Sequence, residues 1–265
     1  MLRMHPFLGA ALLAFAGVTS GQAFDLAAIK TRGSIRVIAA EGVQPEEFSF
    51  TPGPNPGFER EMIEGFARLE RLKVEVLPGV SWEARIPLLL RGEGDVIVGL
   101  TETESRRALI AFTSETIPTR HVVVTHRPHP VIHTLQALRK VSVGVVAATS
   151  WAQAAVDAGV PASKTRSFDE VDPILSALEA GRIGATVMSV SDFTLAAKRH
   201  PGLQMGVLLG RPEHQAWGVR KEDTELVRAM NRYIESLRKD LAWSRLVIKY
   251  FGEQALSVLG RGHDK

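Results

Sequence analysis

Residues 95–107 read Asp95-Val96-Ile97-Val98-Gly99-Leu100-Thr101-Glu102-Thr103-Glu104-Ser105-Arg106-Arg107, an apolar run that breaks abruptly into hydroxyl, acidic and basic residues. The first six residues predict a buried strand, and the polar tract that follows predicts a strand-to-helix turn. A guanidinium beside hydroxyls and backbone N–H groups at a strand end suits a carboxylate, because its planar fork donates two parallel charge-assisted bonds. The plainer alternative is that Arg106 and Arg107 pair with Glu102 or Glu104 on a solvated turn.

The same alternation extends in both directions. Upstream, Ser34–Ala40 reads as strand, and Gly57–Glu70 as a helix with Phe58, Met62, Ile63, Phe66 and Ala67 on one stripe. Lys73–Leu77 reads as strand and Ser81–Leu90 as helix. Downstream come an extended run at His121–Arg127, a loop with Pro128 and Pro130, and then a restart. Ser142–Ala147 is a predicted strand, Ser150–Ala158 and Val171–Ala180 are helices, Ala185–Val190 is a strand and Asp192–Arg199 a helix. Extended runs at Gln204–Leu209 and Gln215–Arg220 lead into a helical tail from Asp223 to about Gly252. Strands alternating with crossover helices predict parallel α/β sheets, and the restart predicts two such units.

Composition agrees with a chain that buries cores. The 265 residues are 45% hydrophobic and 23% charged, which excludes disorder and a multispan membrane protein as descriptions of the whole. A formal charge of +3 gives no argument for nucleic acid as partner. Cysteine is absent, which excludes disulfides, thiolate metal sites, cysteine nucleophiles and a lipid-modified N-terminal Cys. The N-terminus carries Arg3, an apolar run from Phe7 to Val18, and small residues up to Ala23. That is the form of a secretory signal peptide over residues 1–23. The run is too short for a membrane span, which needs ~20 apolar residues. Removal of the first 23 residues leaves a 242-residue mature chain, expected to be exported, periplasmic and without a lipid anchor.

Ligands of open α/β sheets sit beyond the carboxyl ends of the strands, where helix N-termini are presented. Besides Thr101–Arg107, the turn Ala147-Ala148-Thr149-Ser150-Trp151 qualifies, with Ser150 and Gln153 at capping-box spacing. These features, with Gly57-Phe58-Glu59, Ser81-Trp82-Glu83-Ala84, Val143-Gly144-Val145, Ala216-Trp217-Gly218-Val219-Arg220 and Tyr250-Phe251-Gly252, resemble the family-3 solute-binding proteins, the periplasmic receptors of polar amino-acid ABC importers. The resemblance covers essentially the whole mature chain. It implies two α/β lobes joined by two crossing segments, with a hinged ligand cleft between them. Lobe one would be residues 24–120 plus 213–265, and lobe two residues 121–212.

Carried over residue by residue, the resemblance makes Arg106 the clamp on a ligand carboxylate, with Thr101 adding a hydroxyl. Trp82 would pack against the ligand side chain, and Thr149 and Ser150 would present the lobe-two helix end. The ammonium half departs from the family pattern. Ser189 stands where an aspartate is usual and Ala40 where a second acid is expected. A buried ammonium without an anionic partner is costly, so this reading points to an organic acid or a modified amino acid. Glu41 and Asp192 are the nearest acids that could substitute, although Asp192 also reads as a helix cap. The expected partners are a small carboxylate ligand and an inner-membrane ABC permease, with no nucleic acid, no cofactor and a monomeric chain.

Two other functions fit the resemblance: a periplasmic dehydratase of the cyclohexadienyl type, which needs a protonated carboxyl in the cleft, and an accessory sensing module like those fused to lytic transglycosylases. The catalytic domain that accompanies such modules is not expected within the 242 residues of the mature chain. His121, His126, His129 and His133 cluster near the expected hinge, but no carboxylate is interleaved, and no metal site is expected.

Overall fold

The structure is a computed structural model that describes residues 25–255 apart from Pro52; the stretch read as a signal peptide lies outside the described residues. The chain opens with α1 (Leu26–Arg32), capped by the Asp25 side chain, and enters β1 (Ser34–Ile38). Then follow α2 (Phe58–Leu69), β2 (Lys73–Val76), α3 (Arg85–Leu90), β3 (Val96–Thr101), the single turn α4 (Glu104–Arg107) and the short β4 (Ala111–Phe112). The long β5 (Ile117–His126) carries the chain into its second half. That half contains α5 (Leu135–Leu138), β6 (Val143–Val146), α6 (Ser150–Asp157), β7 (Thr165–Phe168), α7 (Val171–Glu179), β8 (Ala185–Ser189) and α8 (Val190–Arg199). A 17-residue strand, β9 (Leu203–Val219), returns to the first half, where α9 (Thr224–Lys239) and α10 (Leu241–Phe251) pack.

The expected pair of parallel sheets is corrected to one mixed sheet of nine strands. Its order is β2-β1-β3-β9-β5-β8-β6-β7, with β4 also on β9. The outer pairs β1–β2, β1–β3, β6–β7 and β6–β8 are parallel, as crossover helices require, whereas β9 and β5 run antiparallel to each other and fuse the two halves. The two runs read as separate strands at 204–209 and 215–220 are one strand, with Gly210 at φ 59° between them. The β5–β9 register slips between Thr119 and His121, a bulge whose Arg120 side chain is held by the carbonyls of Leu209 and Gly210.

Burial follows the two halves. One core gathers β1, α2, β3, α9 and α10 around Phe58, Phe66, Trp217 and Trp243, with a smaller cluster of Ile38, Leu89, Ile97 and Ile110 on the other sheet face. The second core gathers β5, β6, β8, α6 and α7 around Val123, Val145, Trp151, Ile174 and Met188. These are the two lobes of a two-lobed α/β fold. Among the described residues no helix is long and apolar enough to cross a membrane.

Candidate functional site

Arg106 lies on α4, whose cap is Thr103 accepting from the Arg106 N–H at 3.3 Å. Its neighbour Arg107 takes the solvated role, pairing with Glu102, while Arg106 turns inward and donates to the Thr101 carbonyl at 2.7 Å. Half-buried, with Glu213 the anion that most favours its charge, Arg106 faces the second lobe across a small cavity. Thr101 ends β3 beside it. From lobe two, Ser150 Oγ donates to Thr101 Oγ1 at 3.3 Å and lies 3.0 Å from His121 Nε2. Burial and the nearby Arg106 hold His121 down to about 4, so the ring is neutral at pH 7.

Thr149, rather than Ser150, is the cap of α6: its side chain accepts from the Ala152 N–H and donates to the Val146 carbonyl at 2.6 Å. Ser150 is thereby freed to face the cleft. Trp82 reaches over from lobe one and packs on the second core, its ring 6.5 Å from that of Trp151. Trp82, Thr101, Arg106, Thr149 and Ser150 therefore line one cavity between the lobes.

The other two sequence-named residues lie elsewhere. Glu41 is exposed on the turn after β1 and does not line this cavity. Ser189 is buried behind it as the cap of α8, accepting from the Asp192 N–H at 3.0 Å and donating to the Asp192 carboxylate. Asp192 is thus not the cap of its helix. It is 3% exposed, and its carboxylate and backbone carbonyl also accept from Gln44 Nε2.

Two cavity residues escaped the sequence reading, Glu47 and Arg85, and Asp192, named there as a substitute acid, lines the cavity with them. Glu47 is buried, its backbone pinned by bonds with Gln44 and Glu59 while Phe48 anchors in the core. Its carboxyl meets that of Asp192 across the cleft, and burial together with the Asp192 charge pushes it well above the carboxylate range. Gly99 makes room: at φ 60°, a Cβ there would stand 2.3 Å from Glu47 Oε1. Arg85 is 4% exposed, lies 4.8 Å over the Trp82 ring and donates from Nε to the Trp82 carbonyl at 3.2 Å. Of the two acids named as substitutes, Asp192 lines the cavity and Glu41 does not, and Glu47 adds a carboxyl from the other lobe. As closed in this structure, the cavity measures about 20 Å³, room for little more than a water molecule. No group of three His, Asp or Glu side chains suited to a metal occurs among the described residues.

This arrangement of two lobes, two crossing strands and a cleft at the strand ends has matches among known proteins. The model of the bacterial extracellular solute-binding proteins, family 3, matches residues 35–253. The chain belongs to this family. The solute-binding protein is 25% identical over 263 residues to a probable histidine-binding protein of Neisseria gonorrhoeae, covering 96% of this chain and 98% of that one. A membrane-bound lytic murein transglycosylase F of Desulfosudis oleivorans is 24% identical over 204 residues, covering 74% of this chain but 44% of that protein. Among solved structures, a mutant of ArgBP from T. maritima aligns with a TM-score of 0.75 at 26% identity, covering 85% of this chain and 98% of its own. The ancestral amino-acid-binding protein AncCDT-1, a precursor of cyclohexadienyl dehydratase, aligns at 0.76 with 24% identity, covering 84% and 97%, a likeness that concerns the fold alone.

Proposed function

We propose that this solute-binding protein is exported to the periplasm and captures a small carboxylate-bearing solute of amino-acid size for an ABC importer. Lobe one comprises residues 24–120 and 213–265, and lobe two residues 121–212, with the β5–β9 bulge as hinge. One observation carries the reading: Arg106 on one lobe faces Ser150 and the α6 N-terminus on the other, close enough for Ser150 Oγ to reach Thr101 Oγ1 at 3.3 Å. An anion between them is gripped from both sides, by a guanidinium fork and by free helix N–H groups, so binding and lobe closure are one event. A permease can read the closed form because only there do both lobes present their surfaces in fixed relation. Glu47 and Asp192, positioned by Ser189, take the place of the missing ammonium acids, and Glu41 does not.

Thermal-shift screening of wild type and Arg106→Ala over a library of small acids and amino acids tests the site. Loss of charge-assisted bonds worth about 1.5–3 kcal/mol weakens binding roughly ten- to hundredfold. A wild type with no carboxylate-dependent shift, or a mutant that keeps it, removes the assignment. One observation favours a second reading: Glu47, buried in the cleft beside Asp192 and pushed well above the carboxylate range by that burial, has the form of a general acid for a dehydratase. Turnover of a prephenate-like acid, followed by ultraviolet absorbance and lost in Glu47→Gln, would move the protein to that class.

A further inference from the structure

We propose that Arg85 is a second anion-binding residue of the cleft, so that the ligand is an acidic α-amino acid carrying two carboxylates. The inference rests on the solute-binding reading above and concerns which solute is chosen. Two guanidinium groups, from α3 and α4, line the same cavity. Arg106 has the strand-end carbonyl of Thr101 and the neighbouring Glu213, whereas the single hydrogen bond of Arg85 runs from Nε to the Trp82 carbonyl. Its terminal nitrogens, which carry four N–H donors, have no acceptor among the described residues. Glu47 attracts it without forming an ion pair with it, and Arg106 repels it. Those terminal nitrogens are accessible from the cavity, and the indole Nε1–H of Trp82, the ring against which Arg85 lies, is buried without an acceptor. A buried cation with unmet donors is costly unless an anion completes it, and a planar fork with free N–H groups matches a carboxylate.

Steric occupancy points the same way. An aromatic face is where a cationic side chain would dock in a cleft of this kind, but on Trp82 that face is already taken by Arg85 at 4.8 Å. A ligand with a guanidinium or imidazolium side chain would meet a resident cation. One with a side-chain carboxylate would satisfy it, while its α-carboxylate goes to Arg106 and its ammonium to Asp192 and Glu47.

Isothermal titration of the mature protein, unfolded and refolded to strip bound solute, with L-glutamate, L-aspartate, L-glutamine, L-arginine and L-histidine tests this choice. The expected result is that L-glutamate or L-aspartate binds at least roughly tenfold more tightly than the other three. Arg85→Met then abolishes that preference, and Arg85→Lys, which keeps the charge and loses the fork, retains part of it. Tighter binding of L-arginine, L-histidine or L-glutamine, or an unchanged preference in a folded Arg85→Met, overturns the role of Arg85 and leaves the solute-binding reading standing. Binding of none of these amino acids by wild type overturns the acidic amino-acid ligand, and the solute-binding reading falls with it only if no small acid shifts the wild type in the thermal screen above.

Discussion

Burying Glu47 against Asp192 makes stability depend on pH with a definite sign. In the unfolded chain Glu47 titrates near its ordinary 4.5, and in the folded protein it does so well above. Between those values the folded state holds a proton that the unfolded state has released, so this contribution is fully present below about 4.5 and is lost as pH rises toward the folded pKa. Glu47→Gln removes this contribution, while Asp192 and Glu59, also raised by burial, keep theirs. The mutant's melting temperature should gain on wild type as pH is raised from 5 to 8; each unit of upward shift is worth about 1.4 kcal/mol, or roughly 4 °C in a domain of this size. Melting curves across that range check this, and a mutant-to-wild-type difference independent of pH would remove the proton from Glu47. The sequence could not single out this residue. Pro45-Glu46-Glu47-Phe48 presents two adjacent acids on a polar turn, and which one is buried depends on Phe48 anchoring below and on the missing Cβ of Gly99 on β3. Arg106 was legible because a strand followed by a hydroxyl-rich turn is a local pattern. Arg85, inside an otherwise apolar helical run, offered no such sign.

Among elements, periodicity located the long amphipathic ones. α2 and α7 fall within a residue or two of their expected bounds because their buried positions recur on one face. β7 was missed since its four residues are largely exposed at the edge of the sheet and carry no apolar signal. The β9 strand was divided in two because Gly210-Arg211-Pro212 reads as a breaker locally, whereas pairing with β5 on one side and β3 on the other holds it extended. α6 carries the element-level prediction. Its first turn is held by Thr149, which bonds forward to Ala152 and back to Val146, so one side chain fixes both the strand end and the helix start. Thr149→Ala should cost about 1 kcal/mol, a fall in melting temperature of roughly 3 °C. A calorimetric scan of the mutant measures it, and an unchanged melting temperature would show that Ser150 can take over the cap.

For the whole molecule, the single sheet decides how the lobes can move. Continuous strands β5 and β9 forbid the lobes from sliding apart, and the slipped register at Arg120 gives the pair a place to bend. Polar contacts cross between the lobes at several places: Gln44 Nε2 to the Asp192 carbonyl at 3.1 Å, the Val171 N–H to the Gly42 carbonyl at 3.3 Å, Ser150 to Thr101, the Arg199–Glu46 ion pair at 2.8 Å and Lys198 Nζ to the Tyr250 carbonyl. Each hydrogen bond is worth about 1 kcal/mol net, and under the proposed function an anion gripped from both lobes adds to their sum. Because the chain contains no cysteine, two introduced thiols are the only ones that label. Glu75→Cys on β2 and Arg166→Cys on β7 stand on exposed residues of the outermost strands, furthest in the sheet from the β5–β9 hinge and therefore on the longest lever. Spin–spin distances between labels there should be broad without ligand. Saturation with the tightest-binding acid from the Arg106 screen should collapse them to one shorter distance, by several ångströms, and Arg106→Ala should leave the broad distribution in place at the same ligand concentration. A distribution that ligand does not alter would mean that the lobes are fixed and that the cleft selects its solute without closing on it.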